Sequence, residues 1–244
     1  LSENEVVKTI HTQVEFVYFY GAGASSESLK DIVKDGLQQV LPNAHVNVDH
    51  DLVASAYSTY TGEPAITCII GTGSNSCYFD GESVSEEVPA LAYILGDEGS
   101  ASFIGKRLVS DFLYKKLPTE MAEDFYNTYQ LDKDEIITSV YNKPNANVYL
   151  ASFSRFAGKH MEHPYVKQIV REGFAKFADI HIACFDNYKE VPVHFVGSVG
   201  AIFHEILEEV LEERGMHLGQ IMRKPVDGLI KYHLEYLKVL DAYK

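Results

Sequence analysis

Three apolar, β-prone runs of the sequence each end directly in a glycine-rich turn. The runs are Glu15–Tyr20, Ala65–Ile70 and Val191–Val196, and the turns that follow them read GAGASS, GTGSN and GSVGA. Segments with helical spacing of apolar residues follow the first and third turns. Strand, glycine turn and helix in succession form the unit of an α/β sheet, in which ligands gather at the carboxyl ends of the strands. The sequence therefore predicts an α/β fold with a binding site near these turns.

The middle turn, Gly71–Asn75, joins two predicted strands of a β-hairpin, of which the second is Ser76–Phe79. Glycine permits positive φ, so successive N–H groups of such a turn can point at one anion. Thr72, Ser74 and Asn75 add side-chain donors. The working hypothesis is that this turn binds nucleotide phosphate. An ordinary glycine-rich hairpin turn is the alternative, and the stretch on its own favours that alternative.

Other helices and strands are predicted from apolar spacing and end signals. We expect a strand at His45–Val48, helices from about Leu52 and Ser102, two short helices before a break at Asn142–Asn147, a long helix from Pro164, one helix carrying the apolar stripe Ile202–Leu211, and a last helix over Asp227–Tyr243.

The composition is that of a globular protein with a strong negative charge. The 244 residues are 46% hydrophobic and 23% charged, and 21 basic against 35 acidic side chains give a net charge of −14. This balance argues against nucleic acid or an anionic membrane as a partner. An anionic ligand stays possible, because backbone N–H groups can supply positive potential locally. No apolar run has membrane-spanning length and no signal peptide is recognisable, so we expect a cytoplasmic protein.

The three cysteines lie in apolar or amphipathic segments without metal-like spacing. Cys68 and Cys77 face each other if the hairpin turn has two residues. Directly opposed cross-strand cysteines rarely form relaxed disulfides, so we expect reduced thiols in the core.

Several other polar side chains are assigned no role. His160, His163 and His181 lack the tight cluster that a zinc site needs, so no metal site is predicted. Arg155 and Lys159 could reach a phosphate, but solvated surface charges are the favoured interpretation.

Acidic residues stand ahead of two predicted helices. Asp51 has the position of an N-cap, and Asp97 and Glu98 in GDEGS could simply favour the positive end of the next helix. Each feature alone is weak evidence of a catalytic site. Their order along the chain, together with the glycine turns, is more informative.

Three segments carry a resemblance to a known family: IIGTGSNSCYFDG at Ile69–Gly81, LGDEGSASFIG at Leu95–Gly105 and FVGSVGA at Phe195–Ala201. They resemble the BadF/BadG/BcrA/BcrD-type ATPase family, within the sugar kinase, heat-shock protein and actin superfamily. The resemblance extends over nearly the whole chain and is closest to the bacterial N-acetylglucosamine kinase-like proteins.

The resemblance implies two ribonuclease-H-like lobes of the actin-like ATPase type around a central nucleotide and sugar cleft. The N-terminal lobe would be residues 1–60 with 229–244, and the C-terminal lobe 61–228. Family members begin with an Asp-x-Gly-x-Thr phosphate hairpin, which this sequence does not contain. Because the chain starts at Leu1, we expect that residues carrying the motif precede it; the alternative is a kinase that has lost it.

The resemblance also implies the ATP contacts. Those to phosphate and adenosine would come from Thr72, Gly73, Gly197, Ser198, Gly200 and Ala201. Mg²⁺ would accompany ATP.

The implied sugar contacts are Asp51, Ser74, Asn75, Gly96 and Asp97, with Asp51 also the catalytic base. Carboxylates accept hydrogen bonds, which suits a ring of sugar hydroxyl groups. A carboxylate beside the attacking hydroxyl can also take its proton.

Asp49 is the alternative candidate for the catalytic base, since it lies two residues from Asp51 on the same side of an extended segment. We favour Asp51 because it directly precedes the predicted helix, as in the family, and we assign no role to His50.

The expected function is ATP-dependent phosphorylation of a hexose or amino sugar, with N-acetylglucosamine as the favoured substrate. The alternatives are an ATPase that activates an iron–sulfur partner enzyme and a non-catalytic sugar- or nucleotide-binding relic. The expected partners are the small-molecule sugar and ATP, with no nucleic acid and no membrane. A homodimer stays open.

Overall fold

The computed structural model describes residues 1, 3–24 and 26–242. Ser25 of the first glycine turn lies outside the described residues, as do Tyr243, at the predicted end of the last helix, and Lys244.

The strands are β1 (Phe16–Tyr20), β2 (His45–Asp49), β3 (Ala65–Ile70), β4 (Ser74–Phe79), β5 (Val84–Ser85), β6 (Pro192–Val196) and β7 (His217–Met222). The helices are α1 (Glu5–Ile10), α2 (Glu27–Val40), α3 (Asp51–Thr59), α4 (Ala92–Leu95), α5 (Ala101–Leu113), α6 (Thr119–Tyr129), α7 (Lys133–Tyr141), α8 (Ala146–Ser152), α9 (Ser154–Lys159), α10 (Pro164–Phe177), α11 (Ser198–Ile202), α12 (His204–Glu212) and α13 (Val226–Ala242). A π-helical turn, Ala178–Ile182, continues α10.

Five strands form the larger sheet, in the order β5-β4-β3-β6-β7. β4 pairs antiparallel with β3 and β5, whereas β3, β6 and β7 are mutually parallel neighbours. A five-stranded sheet of this order, with only the second strand reversed, is ribonuclease-H-like. The predicted α/β class is therefore confirmed.

The smaller sheet consists of β1 and β2, which are parallel and end together at Tyr20 and Asp49. Helix α2 makes the crossover between them, as α11 and α12 do between β6 and β7. A small core from α2, β2 and the segment that joins them holds this unit together, namely Leu37, Leu41, Ala44 and Val46. The first glycine turn and Asp51 follow the two strand ends at one edge of the sheet.

The larger core lies between the five-stranded sheet and helices α5, α10 and α12. Ile66, Cys68 and Ile70 of β3 are fully buried, as expected for a central strand covered on both faces. On the opposite face, Leu52 and Ala56 of α3 pack against the hairpin. The sheet is thus the middle layer between helices.

Helix α13 packs closely on α3. A side chain at Gly228 would collide with the carbonyl oxygen of Ser58, and the rings of Tyr57 and Tyr232 stack 4.3 Å apart. Helix α3 contacts β1 of the smaller sheet as well as β3 and β4 of the larger one. The proposed division into lobes at residue 60 stays a prediction.

The hairpin turn is shorter than predicted. Ile70 pairs with Ser74, so the turn is Gly71–Gly73 and Ser74 and Asn75 are strand residues. The two cysteines were expected to face each other only across a two-residue turn; with three turn residues, Cys68 pairs with Ser76 and not with Cys77. Both thiols are free and buried.

Three local predictions differ from the structure. Helix α8 begins inside the predicted break at Asn142–Asn147, and the single helix expected after the third turn is two helices separated at Phe203. Strand β7 was not predicted, because HLGQIM does not alternate apolar and polar residues and contains a glycine. Gly219 is needed there because a side chain would collide with the His194 ring.

The close packing of α13 on α3 gives a testable expectation for Gly228→Ala. The added methyl group has to push the helices apart, which should cost about 1–3 kcal/mol of unfolding free energy. Urea unfolding followed by circular dichroism measures the effect.

Gly36→Ala is the matched control, since Gly36 lies in α2 with open space around it. That substitution should stabilise the protein by about 0.5–1 kcal/mol through helix propensity alone. Equal stabilisation by both substitutions would contradict the packing role of Gly228.

Candidate active site

The third glycine turn lies directly against the second. Gly197 has φ of +134°, and a side chain there would collide with the carbonyl oxygen of Ile70. Its N–H donates to the Met222 carbonyl at 2.8 Å, which ties the end of β6 to the end of β7. The carboxyl ends of β3, β6 and β7 therefore meet at one point.

The Gly71–Gly73 turn is anchored on the first turn of α5. The N–H of Ala101 donates to the Gly71 carbonyl at 2.8 Å, and that of Ser102 donates to the Thr72 carbonyl at 3.1 Å. Gly71 N–H is used within the turn, where it donates to the Gly73 carbonyl. Among the described residues, the N–H groups of Thr72 and Gly73 have no acceptor, so these two are the donors left for a ligand.

Asp97 lies against this turn. Its Oδ1 accepts a hydrogen bond from Ser74 N–H at 3.1 Å, and a side chain at Gly73 would come within 2.8 Å of the same oxygen. Burial raises the pKa of Asp97 above its ordinary value, and the Ser74 N–H opposes that shift. The backbone of Asp97 has φ of +58°, in the left-handed region. A partly buried carboxylate in a strained conformation is a frequent feature of functional sites.

Glu98, next to Asp97, pairs with the buried His181, a contact that the sequence pattern did not indicate. His181 Nε2 is 3.3 Å from a carboxylate oxygen of Glu98, and Ser74 Oγ donates to the Glu98 carbonyl at 2.8 Å. Burial lowers the pKa of His181. His181 belongs to the π-helical turn, whose backbone also accepts a bond from Ser76 Oγ at 2.6 Å. These bonds hold the GDEGS loop to the hairpin.

Both the oxygen and the nitrogen of the Asn75 side-chain amide form hydrogen bonds. Oδ1 accepts a bond from Ser76 N–H at 2.9 Å, and Nδ2 donates to Glu86 at 3.2 Å. This leaves one amide hydrogen of Asn75 for a ligand. Glu86 is a further acidic neighbour of the hairpin that the sequence pattern did not indicate.

Asp51 and Asp49 have different surroundings. Asp49 is 3.1 Å from Lys30 Nζ and accepts a bond from His50 N–H. Asp51 is the first residue of α3, and His50, not Asp51, is the N-cap. Asp51 lines a cavity of about 780 Å³ together with Tyr20, Gly197, Arg223 and parts of β1, α3 and α13. The expectation that Asp51 immediately precedes the helix is thus off by one residue, but this carboxylate faces open space while Asp49 is paired.

A second cavity, of about 630 Å³, adjoins the first at Arg223. Thr72 and Ser198 lie on its wall, together with Arg155 and apolar residues such as Val148. No aspartate or glutamate is among its lining residues in the described part of the chain. It is therefore a donor-rich, carboxylate-free cavity in an acidic protein.

The structure thus brings Thr72 and Ser198 to one cavity, and Asp51 and Gly197 to the other. The remaining proposed site residues lie outside both linings. Gly200 is buried against Phe195 and Leu207, Ala201 follows it in α11, and Gly96 ends the short helix α4.

The fold has counterparts among solved structures. A protein from Porphyromonas gingivalis, described as a putative N-acetylglucosamine kinase, matches with a TM-score of 0.89 and 36% sequence identity, over 93% of this chain and 80% of that chain. This chain belongs to the family of that protein. A putative N-acetylglucosamine kinase from Chromobacterium violaceum matches with a TM-score of 0.66 and 16% identity, over 87% of this chain and 75% of that chain. At this identity the second match shows the fold alone, which is the fold of actin-like ATPases and sugar kinases.

The sequence matches no protein-family model and no curated protein. Within the described residues, no helix is long and apolar enough to cross a membrane. The same residues contain no group of three or more His, Cys, Asp or Glu side chains that could hold a metal ion.

The raised pKa of Asp97 predicts whether removal of its carboxylate stabilises or destabilises the fold at neutral pH. Asp97→Asn keeps an acceptor for Ser74 N–H and removes the carboxylate. Because the ionised form is less favourable in the folded than in the unfolded chain, the wild type loses stability relative to the variant as pH rises from about 4 through the raised pKa. The variant should match the wild type near pH 3, about one unit below the ordinary pKa, and melt at a higher temperature at pH 7.

Asp80→Asn is the control of opposite sign. Hydrogen bonds from the backbone N–H groups of Ser83 and Glu82 lower the pKa of Asp80, so its stabilisation is present above the unfolded pKa and lost as pH falls. That variant should melt below the wild type at pH 7. A lower melting temperature for Asp97→Asn at pH 7 would show that Asp97 stabilises the fold and would remove this sign of a functional role.

Proposed function

We propose that the protein transfers the terminal phosphoryl group of ATP to a hydroxyl group of a hexose or amino sugar, with N-acetylglucosamine as the favoured substrate. The observation that carries the proposal is a pair of adjoining cavities, of which only one is lined by a carboxylate of the described residues. Among the described residues, the carboxylate of Asp51 in the first cavity has no ion-pair partner, and the second cavity is lined by hydroxyl and guanidinium groups without a carboxylate. They adjoin at Arg223, with Gly197 on the wall of the first and Ser198 on the wall of the second, and we propose that the phosphoryl group passes between them there.

In this proposal the carboxylate-free cavity binds ATP. Thr72, Gly73, Gly197 and Ser198 contact the nucleotide, and the absence of a side chain at Gly197 permits a close approach to the backbone. Apolar residues of the same cavity offer a surface for the base. Mg²⁺ is proposed to arrive with ATP, held by phosphate oxygens and water, since no carboxylate of the described residues lines this cavity.

The sugar is proposed to lie between Asp51 and the hairpin. Asp97, Ser74, Asn75 and Gly96 form its remaining contacts, and the bond from Ser74 N–H orients the Asp97 carboxylate. Asp51 accepts the proton of the attacking hydroxyl group, whose oxygen forms the new bond to phosphorus. Closure of the two proposed lobes, residues 1–60 with 229–244 and residues 61–228, would exclude water and limit hydrolysis of ATP.

The choice of N-acetylglucosamine is supported by the name of the 36% identical P. gingivalis protein. A place in the BadF/BadG-type family is part of the same proposal and rests on the GTGSN, GDEGS and GSVGA segments. Gly200 and Ala201 stay in the proposed adenosine motif as residues that shape the backbone of α11.

The test is release of ADP by the full-length protein with a panel of sugars, including N-acetylglucosamine, glucose and N-acetylmannosamine. Asp51→Asn should lower kcat by about 100-fold or more, since a positioned base contributes about 10²–10⁴-fold. Binding of ATP should change little, because Asp51 lies in the other cavity.

Asp49→Asn is the matched control, because it removes the neighbouring carboxylate that is paired with Lys30. It should keep most of the activity. ADP release that does not depend on any sugar would overturn the proposed function, and a larger loss from Asp49→Asn than from Asp51→Asn would move the base to Asp49.

A further inference from the structure

The arginines of this chain divide into two groups. The sequence contains five. Three of them are paired with carboxylates at 2.7 Å, namely Arg107 with Asp111, Arg171 with Glu209 and Arg214 with Asp179. Such pairing is expected in a chain with 35 acidic and 21 basic side chains. The other two, Arg155 and Arg223, have no carboxylate partner among the described residues.

Both unpaired arginines line the same cavity, the one that also carries Thr72 and Ser198. They come from distant parts of the chain, since Arg155 lies in α9 and Arg223 directly follows β7. Both arginines are exposed, and their positive charges attract an anion that enters the cavity. Their convergence on a cavity without carboxylates therefore indicates an anionic ligand, and planar guanidinium groups suit phosphate oxygens in particular.

The two arginines differ in position. Arg223 lines the Asp51 cavity as well, whereas Arg155 does not. The bond from Gly197 N–H to the Met222 carbonyl holds the residue before Arg223 at the junction of the two cavities. Arg223 thus lines the junction of the two cavities, and Arg155 lines the nucleotide cavity alone.

We propose that Arg223 contacts the phosphoryl group that is transferred and that Arg155 contacts the phosphates that stay with the nucleotide, an inference that rests on the proposed function. In the step itself, the sugar oxygen forms a bond to the terminal phosphorus and its proton goes to Asp51. The bond from that phosphorus to the bridging oxygen breaks, and its electron pair leaves with ADP. Arg223 stabilises the negative charge on the oxygens of the phosphoryl group during this exchange.

The decisive measurement is nucleotide affinity by calorimetry, with ADP and with a non-hydrolysable ATP analogue. Arg223→Gln should weaken binding of the ATP analogue by about 10- to 100-fold, which is the affinity expected from one charge-assisted hydrogen bond. The affinity for ADP should change little. Arg155→Gln should weaken the binding of both nucleotides by about 10-fold or more. In turnover, Arg223→Gln should lower kcat by about 100-fold or more, whereas Arg155→Gln should act mainly on the KM for ATP.

Lys224→Gln is the matched control. Lys224 is the exposed neighbour of Arg223, loses the same charge when substituted, and lines neither cavity. It should leave both affinities unchanged. Arg223→Lys should restore part of the affinity for the ATP analogue, because it keeps the charge and loses the two-pronged geometry. Thermal unfolding of each variant checks the fold.

The outcomes separate this inference from the proposed function. Equal effects of Arg223→Gln on ADP and on the ATP analogue, or an equal effect of Lys224→Gln, would overturn the assignment of Arg223. Failure of both nucleotides to bind the wild type would overturn the arginine site altogether. The predicted affinities together with no sugar-dependent turnover would support the arginine assignment and reject the sugar kinase.

Discussion

The close approach of Gly197 to the carbonyl oxygen of Ile70 is the contact on which the candidate site depends. Strands β3 and β6 run parallel, so both of their turns lie at the same edge of the sheet. Any side chain at Gly197 would collide with Ile70, and the turns would have to separate. Because they touch, Thr72 from one turn and Ser198 from the other line a single cavity. The proposed nucleotide site is therefore a consequence of strand order and of one missing side chain.

The distribution of charge follows from the same topology. The chain carries a net charge of −14, and a polyphosphate would be repelled by most of its surface. Asp51 begins α3 and Asp97 lies against the hairpin, so neither carboxylate lines the nucleotide cavity. Arg223 follows β7 at the other side of β6. The proposed proton acceptor thus lines one cavity and Thr72 and Ser198 line the other, and Arg223 lines both.

Local signals were sufficient to predict the elements that frame this cleft. β-prone runs followed by glycine turns identified β1, β3 and β6, and the α/β class is confirmed. Strand β7 could not be predicted from local patterns. Its Gly219 is required because a side chain there would collide with the ring of His194, which lies far away in the sequence. Because β7 was not predicted, the position of Arg223 directly after it, beside the candidate site, was not predicted either. The Glu98–His181 pair was not predicted for a similar reason, because the two residues are 83 positions apart in the sequence.

The packing of α3 on α13 connects the two proposed functional groups mechanically. Asp51 is the first residue of α3, and α13 begins at Val226, shortly after Arg223. The two helices meet at Gly228 and through the stacked rings of Tyr57 and Tyr232. Since interiors are close-packed and transmit displacement, a shift of one helix carries the other with it. Asp51 and Arg223 belong to different proposed lobes, so the contact between α3 and α13 would couple closure of the cleft to the distance between the acceptor hydroxyl and phosphorus.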